Sequence, residues 1–250
     1  MVSPFPTLRL RVLGGTALEL PKRSVAGTSG RRRLIAMLAL LSSAGERGIG
    51  RGRIAAAFWP DARDANARND LKQLVFVARR TISADVFVPD VNTLIVNSAV
   101  LPSDVEAFHR AIRERRYEDA VALYNGPFLE DFHIADRPEL AQLVERERER
   151  CAACYCEALE TLAGRAGIRG EPDRAVHWWR LLVEADPLRD EYAMGLSGAL
   201  ADSGELTGAL MHARRHVNHV RAELGEDVSA EFSRFVQSLP HRKALHHAMA

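Results

Sequence analysis

Leu8, Leu10 and Val12 alternate with Arg9 and Arg11, and Gly14-Gly15 then leads into Ala17 to Leu20. Period-two alternation from Thr7 to Leu13, broken by paired glycines, predicts a small β-hairpin. Ser24 to Arg33 is rich in Gly, Ser and Arg and reads as a loop. Leu34, Met37, Leu38 and Leu41 recur at helical spacing up to Gly45 and predict a first helix. Ile49 to Trp59 reads as a short second helix, stopped by Pro60, which cannot donate a backbone hydrogen bond and restricts the residue before it. A third helix follows a brief turn. With Leu71 at zero on a wheel of about 100° per residue, Leu74, Val75, Ala78 and Ile82 fall within about 60° of it and form a core-facing stripe. Ala84 to Val88 and Thr93 to Asn97 are short β-prone runs separated by Pro89 to Asn92, a second hairpin in the position of a wing. The order ββ-ααα-ββ predicts an α+β winged helix-turn-helix domain over residues 1–100.

From Ser103 onward Phe108, Ile112, Ala120, Val121 and Leu123 keep helical periods, and no convincing strand follows. Gly170-Glu171-Pro172-Asp173-Arg174-Ala175 returns as Gly204-Glu205-Leu206-Thr207-Gly208-Ala209, 34 residues later, which is the tetratricopeptide period. Asp186-Pro187 falls where one helical hairpin would end and the next begin, and Tyr117 to Tyr124 reads as a more distant copy. Residues 101–250 therefore read as an all-α tetratricopeptide-like helical repeat domain.

Charge divides at the same place. The chain has 250 residues and a formal net charge of +1. Residues 1–100 carry 15 Lys and Arg against 7 Asp and Glu, while residues 101–250 carry 19 against 26. A basic domain joined to an acidic one suits a polyanion for the first and a protein partner for the second. With 47% apolar and 27% charged residues the composition is that of an ordinary globular protein. No run of eighteen apolar residues occurs, and Met1 to Pro6 lacks the features of a signal peptide, so a cytoplasmic protein without a membrane partner is expected.

Opposite the apolar stripe of the third helix stand Asn69, Gln73, Phe76 and Arg80, with Asn66 and Lys72 beside them. Asn and Gln can pair two hydrogen bonds with adenine and Arg can do so with guanine, so Asn69, Gln73 and Arg80 are candidates for base-edge contact with double-stranded DNA. A solvated helix face is the plainer alternative. Phe76 suits either a thymine methyl or a place against the wing. Arg31, Arg32 and Arg33 before the first helix, Arg51 and Arg53 opening the second, and Lys72 and Arg79 flanking the third are candidates for phosphate contact. As a set they would make binding strongly salt-dependent.

Other chemistry is sparse. Cys151, Cys154 and Cys156 crowd into one segment, which fits a reducing compartment and offers no disulfide framework. No second Cys or Cys/His pair stands nearby at zinc spacing, so these cysteines read as small helix residues, and neither a metal nor a cofactor is expected. His212, His216 and His219 share a helical face, read as the exposed side of a repeat helix. There is no phosphate-binding loop, no nucleophile elbow and no His-Glu-x-x-His, so an enzyme is not expected.

Several stretches in order resemble one family. These are Leu8-Arg9-Leu10-Arg11-Val12-Leu13-Gly14-Gly15, Phe58-Trp59-Pro60-Asp61, Ala78-Arg79-Arg80, Ser103-Asp104-Val105 with Phe108, Gly126-Pro127-Phe128-Leu129, Glu145-Arg146-Glu147-Arg148, Asp186-Pro187-Leu188 and Glu223-Leu224-Gly225. Over nearly its whole length the chain resembles the SARP-type (antibiotic regulatory protein) bacterial activators, which join a response-regulator-like winged helix to a helical bacterial transcriptional activator domain. The resemblance implies an activator that binds direct repeats near a promoter and recruits RNA polymerase, with the helical domain supporting a homodimer. It also implies, by fold analogy alone, that the turn Pro60 to Asp64 touches polymerase. One departure stands out, since the wing tip Pro89 to Asn92 has no Lys or Arg and includes Asp90, where family wings often carry a basic residue. No receiver domain precedes Leu8, so control by phosphorylation is not implied. Two other readings stay open. The repeats of a protein-interaction module would be the main binding surface while the winged helix docks protein, or the chain would be the regulatory front of a longer protein.

Overall fold

The computed structural model describes residues 8–20, 23–24, 29–132 and 137–247. Thr7, at the start of the expected first strand, and residues 25–28 of the expected loop lie outside them, as do Met1 to Pro6. By internal contacts the chain divides into two compact units, Met1–Tyr155 and Cys156–Ala250.

In the first unit, strands β1 (Arg9–Arg11) and β2 (Ala17–Leu20) pair antiparallel, with Leu10 opposite Leu18 and Arg9 opposite Glu19. A third short strand, β3 (Arg23–Ser24), pairs with β2. Leu10 and Leu18 are buried, as the alternation requires. Helix α1 (Ser29–Ala44) begins within the stretch expected to be loop. Its residues Leu34 to Leu41 are buried without exception, so it is apolar all round and forms the centre of the unit. The sequence pattern displayed only one face of it. A short 3-10 turn, Gly45–Arg47, leads to β4 (Ile49–Gly50), then α2 (Arg51–Phe58) and α3 (Asp64–Thr81).

Residues 49 and 50 are therefore not the start of the second helix. They pair antiparallel with β6 (Thr93–Val96), which also pairs with β5 (Phe87–Val88), so the wing is a three-stranded sheet in the order β4-β6-β5. Gly48 permits this approach: its φ is +56°, and a Cβ there would lie 2.4 Å from the Leu94 carbonyl oxygen.

Helices α4 (Asp104–Arg113), α5 (Tyr117–Leu123) and the first part of α6 (Pro138–Ile168) belong to this unit too. Ser103 caps α4 by accepting from the Glu106 N–H. Asp104, 3% exposed, accepts from the N–H groups of Val12 and Leu13 beyond β1. The Leu129 N–H donates to the Val12 carbonyl and the Gly14 N–H to that of Pro127. Arg148 in turn donates to the carbonyls of Phe128, at 2.8 Å, and Leu129, at 2.7 Å. Four of the stretches that carry the family resemblance thus meet in one hydrogen-bonded knot.

The second unit holds the rest of α6 with α7 (Pro172–Ala185), α8 (Asp190–Asp202), α9 (Leu206–Leu224) and α10 (Ala230–His247). The 34-residue repeat is reproduced bond for bond at its turns. Glu171 N–H donates to Ala166 O and Ala175 N–H to Glu171 O; Glu205 N–H donates to Leu200 O and Ala209 N–H to Glu205 O. Gly170 and Gly204 both take positive φ. The same turn occurs in the first unit, where Arg116 N–H donates to Ala111 O and Ala120 N–H to Arg116 O, with Arg115 at φ +57° in the glycine position. The histidines of α9 depart from expectation. His216 is buried, its Nε2 2.6 Å from Asp190 Oδ1 and its ring against Phe232, because α8 and α10 cover this side of the helix. His212 Nδ1 lies 3.1 Å from Ser197 Oγ.

Candidate nucleic-acid interface

Helix α3 owes its position to the stripe Ala67, Leu71, Leu74, Val75 and Ala78, all buried against the core. That anchorage turns the opposite side outward. Asn66, Asn69, Gln73, Phe76 and Arg80 are all exposed, and so are Lys72 and Arg79. The structure thus brings together every α3 residue singled out from the sequence. Arg79 and Arg80 fall in the last turn, where positive charge suits the helix dipole. The Arg80 guanidinium lies 5.6 Å over the Phe76 ring, and Phe76 is 55% exposed.

Arg68 was missed by the sequence reading although its spacing carried the signal. It precedes Lys72 by four residues and Arg79 by eleven, and all three are exposed. On the wheel they fall between about 60° and 100° from Leu71, a cationic edge beside the row of Asn69, Gln73, Phe76 and Arg80.

The start of α2 is tied to the wing. The Arg51 N–H donates to the Asn92 carbonyl at 2.9 Å, and its guanidinium reaches the Asp90 carbonyl at 3.5 Å. Asp90 spends its carboxylate on its own turn, with Oδ1 accepting from the N–H groups of Asn92 and Thr93. The acidic residue of the wing tip is thereby a turn former, while Arg51 places a cation beside a tip that has none of its own. Arg53 is exposed.

Arg31, Arg32 and Arg33 sit in the first turns of α1. Arg32 donates to the Asp131 carbonyl at 3.4 Å and lies 5.8 Å over the Phe132 ring, so its partners are neither in α3 nor in the wing. Arg31 and Arg33 are half-buried. Burial lowers the Arg31 pKa, and its Nε and one terminal nitrogen have no hydrogen-bond partner among the described residues.

Residues 96–239 match the family model described as bacterial transcriptional activator domain. The chain belongs to that family. The match covers the helical half of the SARP-type resemblance read from the sequence. Among solved structures the chain is similar to Mycobacterium tuberculosis EmbR in complex with a low affinity phosphopeptide, at 18% identity and a TM-score of 0.63. The similarity covers 94% of this chain and 65% of that one, so this chain spans about two thirds of EmbR's length in that structure and shares its fold over that span. No curated protein matches. The family is one of transcriptional regulators, and the matched span takes in helices α4 to α9 and most of α10. Among the described residues, no helix is long and apolar enough to cross a membrane.

Proposed function

We propose that this member of the activator family is a cytoplasmic, non-enzymatic regulator that binds double-stranded DNA in a sequence-specific manner through the exposed face of α3. The observation that carries the reading is the row Asn69, Gln73, Phe76 and Arg80, turned outward by a buried stripe and bordered by Arg68, Lys72 and Arg79. In this reading α3 enters the major groove, Asn69, Gln73 and Arg80 contact base edges, and the cationic edge contacts phosphate. Arg51 and Arg53 add phosphate contacts at the start of α2. Arg31, Arg32 and Arg33 in the first turns of α1 are further candidates for phosphate contact, Arg32 in exchange for its contacts to the Asp131 carbonyl and the Phe132 ring. The chain acts as a homodimer on direct repeats and recruits RNA polymerase, with the exposed turn residues Asp61 and Arg63 offered to polymerase.

Residues 1–100 serve as the DNA-binding part and residues 101–250 as the activator part, although compact packing extends the first unit to Tyr155. The appropriate test therefore uses the full chain, because a fragment ending at residue 100 lacks Asp104 and the bonds it makes to Val12 and Leu13. Selection from random duplexes is expected to enrich one motif. A second reading, a protein-interaction module, is favoured by a cleft of about 920 Å³ in the second unit lined by Trp179, Phe235 and the small residues of α6 and α8. Recovery of duplexes without sequence preference would support that reading against DNA recognition.

A further inference from the structure

Helix α6 places Glu147 and Cys151 one turn apart on the same face, and α4 brings His109 opposite them. Cys151 Sγ is 3.4 Å from Glu147 Oε1 and 3.6 Å from His109 Nε2, and the last two atoms are 2.8 Å apart. All three residues are buried. A nitrogen, a carboxylate oxygen and a sulfur in this arrangement form the donor set of a borderline-soft divalent ion. Tetrahedral bonds of about 2.0–2.3 Å put neighbouring donor atoms roughly 3.3–3.7 Å apart. Two of the three separations already meet that requirement, and the third meets it when the His109–Glu147 hydrogen bond opens by roughly half an ångström.

A positive charge already sits among these atoms. One terminal nitrogen of Arg150 lies 2.7 Å from Glu147 Oε1 and 3.0 Å from His109 Nε2. The same nitrogen donates to the carbonyl and hydroxyl oxygens of Ser43, at 3.1 and 2.8 Å, near the end of α1. The Arg150 side chain is half-exposed, so its guanidinium has a path into solvent.

We propose that His109, Glu147 and Cys151 form a binding site for a divalent cation of the zinc class, in competition with the guanidinium of Arg150. The ion bonds to His109 Nε2, a Glu147 oxygen and Cys151 Sγ, and water completes the coordination. The thiol proton passes to solvent as the metal–sulfur bond forms, and the proton that His109 Nε2 shares with Glu147 is replaced by one on Nδ1, which leaves the Nε2 lone pair of a neutral ring for the ion. The exchange preserves neutrality: one carboxylate with one guanidinium gives way to a carboxylate and a thiolate with a doubly charged ion. Arg150 moves out and releases Ser43, so occupancy of the site is communicated to the end of α1.

The test is titration of the full, reduced, metal-stripped chain with Co²⁺, followed by absorption. The wild type is expected to show a near-ultraviolet thiolate-to-cobalt band together with the visible bands of tetrahedral cobalt. Cys151→Ser should remove the thiolate band, and a Cys154→Ala/Cys156→Ala double variant should keep it. Arg150→Ala should bind about tenfold tighter, since the competing cation is gone and the buried carboxylate is left uncompensated. Absence of the thiolate band from the wild type, or its persistence in Cys151→Ser, overturns the site. Unchanged or weaker affinity in Arg150→Ala overturns the competition.

Discussion

The Asp104 carboxylate accepts two bonds from the Val12 N–H, at 3.0 and 2.9 Å, and one from the Leu13 N–H at 3.1 Å. Residues 92 positions apart are joined in the interior, where Val12, Leu13 and Asp104 are all buried. Asp104→Ala therefore leaves both amides unsatisfied, and the expected loss is about 2–4 kcal/mol in urea denaturation of the full chain. Asp104→Asn keeps one acceptor oxygen and should lose less. Equal stability of Asp104→Ala and wild type would contradict this role.

Gly195 in α8 has no room for a side chain, because a Cβ there would lie 2.4 Å from the Trp179 ring. Alanine is the better helix former by about 1 kcal/mol, yet Gly195→Ala should destabilise by about 1–3 kcal/mol through overpacking. Gly164 in α6 is the control, since a Cβ there meets nothing within 4 Å. Gly164→Ala should raise the thermal midpoint and Gly195→Ala should lower it.

Arg115 holds φ +57° where the corresponding turns of the second unit use Gly170 and Gly204. A left-handed conformation costs a non-glycine residue about 1–2 kcal/mol, part of which a glycine returns as unfolded-chain entropy. Arg115→Gly should thus stabilise by roughly 0.5–1 kcal/mol in denaturant titration. A lower midpoint would show that the Arg115 side chain contributes more than its backbone strain removes.

Asp190 joins three helices of the second unit: Oδ1 lies 2.6 Å from His216 Nε2, and Oδ2 accepts from the Ser229 N–H at 2.8 Å. Burial pulls its pKa up, but the bonds from Ser229 and His216 outweigh this and leave it below the ordinary aspartate value. A carboxyl whose folded pKa is depressed contributes stability that is fully present above its unfolded pKa and lost as pH falls through the folded one. Between about pH 5 and pH 3 the wild type should therefore lose more thermal stability than Asp190→Asn, measured by circular dichroism. Parallel losses would remove Asp190 from the acid response.

Where the sequence is locally amphipathic its reading and the structure coincide. The stripe from Leu71 to Ala78 determines the outward face of α3, and the 34-residue repeat locates the turns at Gly170 and Gly204. The features that escaped depend on distant partners. Ile49-Gly50 is too short to display a strand period and becomes one only by pairing with Leu94 and Thr93. His109 stands 38 residues before Glu147, so no local spacing announces their cluster. His216 shares a helical face with two other histidines, and only the packing of α8 and α10 buries it. Arg68 is different: its spacing from Lys72 was legible and went unused.

The central claim is that the outward face of α3 reads DNA. Its most direct test is the affinity of the full chain for its selected duplex, measured against salt concentration for the wild type and for Asn69→Ala/Gln73→Ala/Arg80→Ala. The wild type should bind with a steep negative slope of log affinity against log salt. The triple variant should lose at least about 3 kcal/mol on the selected site and become nearly indifferent to sequence. Affinity and sequence preference left intact by the triple substitution would contradict the account.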